Sequence, residues 1–158
     1  MNKKYYIAYG SNLNIAQMKM RCPDAKITGK TELKGWRLLF RGSRTGSYLT
    51  IEPAKGYSVP IVIWSVTERD EKNLDRYEGY PNFYYKKNLK VSVRGIKSGK
   101  LREVEAFVYI MHENRPIGIP SGYYMSTCLE GYMDFDFDPE VLMEAYNESR
   151  EEVLWTSR

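Results

Sequence analysis

Two short stretches hold the residue types that could do chemistry: Tyr9-Gly10-Ser11-Asn12-Leu13 and Leu74-Asp75-Arg76-Tyr77-Glu78-Gly79-Tyr80-Pro81. A strand that runs into Gly-Ser-Asn and then a helix leaves backbone N–H groups unpaired at the helix start. Such a turn attracts anions, whether a substrate carboxylate or a developing oxyanion. Gly10 lets a ligand approach with no Cβ in the way. Ser11 and Asn12 also read as ordinary helix caps, and taken alone the stretch favours that use. Glu78 is the more pointed anomaly. It ends a helix just before Gly79, a left-handed C′ position. A carboxylate there opposes the helix dipole, at a cost of a few tenths to about 1 kcal/mol. Arg76 and Lys86-Lys87 are near enough in sequence to offset it, which leaves an indifferent surface Glu as the alternative. A glutamate partly buried on a rigid helix end would have the raised pKa of a base that can return its proton.

Strand phase points to further polar groups. Tyr85 is in step with Leu89, Val91 and Val93, the apolar and inward face of its strand. Tyr109 is in step with Phe107 and Met111, while Val104, Ala106, Val108 and Ile110 make the other face. That strand is buried on both sides, so the Tyr109 hydroxyl needs a partner. A polar pocket inside a barrel would supply one. Each tyrosine taken singly also reads as a core residue.

These groups need elements to hold them. Residues 4–9 read as a strand, and a helix over 13–21 follows, stopped by Pro23. Strands are expected over 25–33 and 36–41, a turn over 42–47, a strand over 48–52 and a turn from Pro53 to Gly56. The apolar run 61–66 predicts a buried strand. Thr67 then caps a helix over 68–78, with Asp70 completing a capping box. Strands over 83–94 and 101–111 pair across residues 95–100, and a loop covers 113–120. Helices over 121–130 and 139–155 close the chain, the last opened by Asp138-Pro139. Six or seven strands with helices inserted and appended give an α+β fold, a mostly antiparallel sheet curled towards a barrel, in one domain spanning 1–158.

Several apparent motifs fail. Gly95-x-x-x-Gly99-Lys100 is one residue short of a phosphate loop, and Leu101 stands where Ser or Thr should bind magnesium. The acidic run Asp134 to Asp138 meets Pro139 where a calcium loop needs glycine. His112 is the sole histidine and has no metal-ligand spacing around it. The net charge is +4 over 158 residues, with the charges scattered, which argues against nucleic acid. Two distant cysteines suggest a reducing compartment, and no apolar run nears the roughly 18 residues of a membrane span. A cytoplasmic protein without membrane or nucleic-acid partners is expected.

Together these residues resemble the γ-glutamylcyclotransferase-like family. The resemblance runs through Tyr9-Gly10-Ser11-Asn12-Leu13, Gly35-Trp36-Arg37-Leu38-Leu39-Phe40, Leu74-Asp75-Arg76-Tyr77-Glu78-Gly79, Tyr85, Tyr109-Ile110-Met111 and Pro120-Ser121-x-x-Tyr124. Their order and spacing hold over roughly residues 5–130. Ile61 departs from the family's usual glycine. The resemblance implies a small mixed barrel flanked by helices, with Glu78 as catalytic acid/base. It implies that Tyr9, Gly10, Ser11, Asn12 and Leu13 bind the γ-glutamyl group and that Tyr85, Tyr109 and Tyr124 line the pocket. The implied reaction cyclises a small γ-glutamyl amide or peptide to 5-oxoproline and releases the amine, with no metal or organic cofactor. A form specialised for γ-glutamylamines and a non-catalytic binding module are the alternatives. Substrate choice would rest on loops at 42–47, 80–84 and 113–119.

Overall fold

The computed structural model describes residues 3–43 and 46–156. Five strands close into a barrel: β1 (Lys4–Ala8), β2 (Lys26–Ser43), β3 (Gly46–Val66), β4 (Tyr84–Gly95) and β5 (Leu101–Met111), in the spatial order β1-β3-β2-β4-β5. Each neighbouring pair is antiparallel except the seam, where β1 lies parallel to β5 with Tyr5 opposite Ala106 and Tyr6 opposite Phe107. The mostly antiparallel barrel expected from the strand pattern is present, and its one parallel pair makes it mixed, as the resemblance implied. Alternation explains the core. Ile7, Ile61, Ile63, Val93 and Val108 are fully buried, and β5 is buried on both faces from Ala106 to Met111.

The strand count is a correction. Residues 25–33 and 36–41 form one long strand, as do 48–52 and 61–66, because Gly35 and the Pro53–Gly56 segment bend a continuous ribbon instead of ending it. Gly35 and Gly56 have φ of 84° and 87°, and the β2–β3 register slips between Lys34 and Trp36. Glycine supplies that backbone without strain, so a turn signal became a bulge. Arg44 and Thr45, within the expected 42–47 turn, lie outside the described residues.

Among the described residues four α-helices flank the barrel: α1 (Ile15–Arg21), α2 (Glu68–Glu78), α3 (Gly122–Asp134) and α4 (Glu140–Thr156). Helix α2 begins as expected: Thr67 accepts from Asp70 N and the Asp70 carboxylate accepts from Thr67 N, a reciprocal box. It ends at Gly79 with φ 65°. The first helix starts later than expected. Ser11–Leu13 form a 3-10 turn, and Asn14, whose side chain accepts from Gln17 N, caps α1. Ser11 and Asn12 are therefore released from capping. Their side chains turn towards α2.

Candidate active site

A cavity of about 270 Å³ lies where the end of β1 meets the C-terminal end of α2. Tyr9, Gly10, Ser11, Asn12, Glu78, Tyr109 and Tyr124 all line it. Two expected members do not. Leu13 is completely buried under α3, so its part is to anchor the turn. Tyr85 points elsewhere and donates its hydroxyl to Glu113, while its neighbour Tyr84 lines the cavity. Tyr85 does share a strand face with the apolar residues, as its phase implied. The error lay in placing the pocket inside the barrel, since it sits between strands and helices and draws on the opposite face of β4. Tyr6, Tyr48, Leu49, Tyr77 and Phe83 complete the lining, and none of them was assigned to it from the sequence.

Hydrogen bonds lock this wall. Tyr9 donates to the Tyr109 carbonyl (2.7 Å), and Tyr84 donates to the Leu49 carbonyl (2.8 Å). The Leu49 amide donates to the Tyr124 hydroxyl (3.1 Å). A Cβ on Gly10 would stand 3.3 Å from both Leu49 Cδ1 and the Tyr124 hydroxyl, so the wall is packed up to the turn. Burial first, and the Glu78 charge among lesser causes, push the Tyr6, Tyr9, Tyr84 and Tyr124 hydroxyls well above their ordinary range. All four stay neutral and able to donate.

Glu78 faces the turn. Asn12 Nδ2 lies 3.5 Å from Glu78 Oε1, and Ser11 Oγ is 3.2 Å from the hydroxyl of Tyr77, the residue before it. The residue keeps some exposure through the open side of the cavity, but the rings around its carboxyl exclude solvent. That burial pushes the Glu78 carboxyl up to about 8, with Arg21 pulling the other way. Neither Arg76 nor Lys87 is among the groups that shift it, and Lys86 is committed to Glu71 and Asp75.

Lys86 holds a second network behind the wall. Its ammonium lies 2.7 Å from both Glu71 and Asp75, and 4.3 Å from the centre of the Tyr80 ring. Tyr109 donates to the same Asp75 oxygen at 2.6 Å, which is the partner its buried hydroxyl required. Burial alone would raise Glu71, but hydrogen bonds from Lys86 and Lys4 outweigh it and hold that carboxyl below its usual value. Lys86→Met would leave two partly buried carboxylates facing each other. It should destabilise the fold by about 2–3 kcal/mol, below the ~3–5 of a fully buried pair, as read from urea denaturation at pH 7. An unchanged midpoint would remove this network from the account.

Among the described residues, no group of three or more His, Cys, Asp or Glu side chains is arranged to hold a metal ion. No helix among them is long and apolar enough to cross a membrane.

The sequence model described as gamma-glutamyl cyclotransferase, AIG2-like, matches residues 6–126. The chain belongs to this family. The matched span contains the turn, Glu78 and every cavity residue, and it leaves out α4. Among solved structures the chain is similar to an uncharacterized human protein, loc79017, at 27% identity and TM-score 0.70, over 85% of this chain and 80% of that one. It is similar to a gamma-glutamyl cyclotransferase at 24% identity and TM-score 0.74, over 91% and 86%. A yeast gamma-glutamyl cyclotransferase specific to glutathione shares the fold at 13% identity and TM-score 0.57, over 96% and 97%. No curated protein sequence matches the chain.

Proposed function

We propose that the protein cyclises a γ-glutamyl amide to 5-oxoproline and releases the amine, with Glu78 as the acid/base. The observation that carries this reading is the buried Glu78 carboxyl, held at a proton affinity near neutrality and facing the strand-end turn across Asn12. The first hydrogen bond inside the turn runs from Leu13 N to Gly10 O, which leaves the Ser11 and Asn12 amides to hold the substrate's α-carboxylate. Ionised Glu78 takes a proton from the α-ammonium, and the neutral amine attacks the γ-carbonyl carbon. Protonated Glu78 delivers that proton to the leaving nitrogen as the tetrahedral oxyanion collapses and the C–N bond breaks. The carboxylate, ionised again, takes the second proton from the ring nitrogen and passes it to the released amine. The lactam and the protonated amine together hold the substrate's atoms, so no water is consumed. The attack is intramolecular, and much of the acceleration comes from holding the folded conformer between the turn and the tyrosines.

One observation favours γ-glutamylamines over γ-glutamyl amino acids. The described lining residues include no lysine or arginine, so a carboxylate on the leaving group would meet no cation there. The test is a panel of γ-glutamyl amides, with and without a leaving-group carboxylate, assayed for 5-oxoproline. Turnover, faster for the amines, is expected. Silence across the whole panel would sink the enzyme reading and leave a binding module.

A further inference from the structure

Arg21 lies outside the cavity lining yet controls one residue within it. Its Nη1 donates to Asn12 Oδ1 at 2.6 Å, its Nη2 to Gln17 Oε1 at 2.7 Å, and its guanidinium covers the Tyr77 ring at 3.6 Å. A guanidinium has only donors, so the Asn12 end it touches must be the oxygen. The amide nitrogen then faces the other way. It donates to the Tyr6 hydroxyl at 2.9 Å and lies 3.5 Å from Glu78 Oε1. The Asn12 backbone is fixed too, by Trp64 Nε1 donating to its carbonyl at 3.2 Å.

This sets the direction of the next hydrogen bond. The Tyr6 hydroxyl accepts from Asn12, and among the described residues that is its only hydrogen bond. Its own proton is the open end of the chain, and the cavity is what that end faces. The ring cannot swing away, being packed 5.3 Å from Phe107 and 5.8 Å, edge-on, from Tyr109.

We propose that Arg21, Asn12 and Tyr6 form a one-way hydrogen-bond chain whose last donor, the Tyr6 hydroxyl, holds the oxyanion formed at the substrate's γ-carbonyl. The proposal rests on the cyclotransferase reading above. Tyr6 and Glu78 share one Asn12 nitrogen, so a carbonyl whose nitrogen is served by Glu78 has its oxygen within reach of Tyr6. Each bond in the chain points the same way from a fixed positive charge, which polarises the terminal O–H and makes it a stronger donor. Tyr6 is then a catalytic residue and Arg21 a positioning one.

The test is kinetic, on a γ-glutamyl amide that the wild type turns over. Tyr6→Phe should lower kcat about 10²-fold, with KM within about threefold, as expected when an oxyanion donor is removed. Arg21→Met, at a partly exposed site, should lower kcat about tenfold with KM unchanged, and Arg21→Lys should recover part of the loss. Every kcat is read on its high-pH plateau, where losing the Arg21 charge no longer changes the ionised fraction of Glu78. There the Tyr6→Phe/Arg21→Met double variant should be no slower than Tyr6→Phe alone, because the chain has nothing left to polarise. A kcat for Tyr6→Phe within threefold of wild type overturns the chain, as do losses that multiply in the double variant. Either result, with Glu78→Gln inactive, leaves the cyclotransferase reading standing. If Tyr6→Phe fails to fold, an Arg21→Met enzyme with wild-type kcat overturns the chain by itself. A wild type inert on every γ-glutamyl amide overturns both.

Discussion

Replacing Glu78 with glutamine is expected to abolish 5-oxoproline formation and, above pH 8, to make the folded chain more stable than the wild type. The loss of rate follows from removing a positioned acid/base and should be at least about 10²–10⁴-fold. The gain in stability follows from the same burial that suits Glu78 to its work. Its carboxyl is raised from an ordinary value near 4.5 to about 8. Between those values the folded protein keeps a proton that the unfolded chain has released. Wild-type stability therefore falls as pH rises across that window, and it levels off once Glu78 is ionised in both states. At about 1.4 kcal/mol per pKa unit, reduced for the open side of the cavity, the penalty is a few kcal/mol. The glutamine variant has no such slope. Urea unfolding of both proteins at pH 5, 7 and 9 tests this, and parallel pH profiles would mean that Glu78 is not buried in solution. The wild-type kcat/KM should rise with pH to a plateau, with an apparent pKa near 8.

The second large effect is expected far from the chemistry. A Cβ at Gly131 would fall 2.7 Å from Asn14 N and from Leu13 Cβ, and 2.8 Å from the Leu13 carbonyl carbon. Helix α3 thus lies directly against the backbone of the 3-10 turn. It is tied there by Asn14 Nδ2 donating to the Thr127 carbonyl and to Glu130, and by Ile15 N donating to Asp134. Gly131→Ala must separate helix and turn, at a cost of about 1–3 kcal/mol or more. It should also lower kcat/KM by on the order of 10²-fold, because the Ser11 and Asn12 amides move with the turn. Gly122→Ala, on the same helix with nothing within 4 Å of the new carbon, is the matched control. It should equal or exceed wild-type stability, since alanine is the better helix former. Equal melting and equal kinetics for the two variants would refute the buttressing role of α3.

What could be read from the sequence was whatever its signals decide locally. Helix α2 was legible at both ends because Thr67, Asp70 and Gly79 act within a turn of one another. The β4–β5 hairpin was legible for the same reason, and Glu78 and the Tyr9–Asn12 turn, singled out by motif spacing, line one cavity. Apart from the late start of α1, which Asn14 sets locally, the misreadings depended on partners distant in the chain. Gly35 and Pro53 to Gly56 have turn composition, and only the pairing of β2 with β3 makes them bends. Choosing Tyr85 over Tyr84 required knowing which face of β4 looks towards α2, and that depends on how the barrel closes. Arg21 was invisible because nothing in α1 marks one cation as facing Asn12.

The parallel seam between β1 and β5 also bears on when the activity can arise. Tyr9 and the Tyr109 carbonyl it bonds are 100 positions apart, and Tyr6 sits opposite Phe107. The cavity takes Tyr109 from β5 and Tyr124 from α3, which follows β5, so the site cannot be finished before the last strand closes. A chain still emerging from the ribosome before β5 is complete carries the turn and Glu78 but has no place to hold a substrate. Contacts this distant in sequence form late and slowly. Turnover during refolding would therefore lag behind the appearance of helix and report the moment of closure.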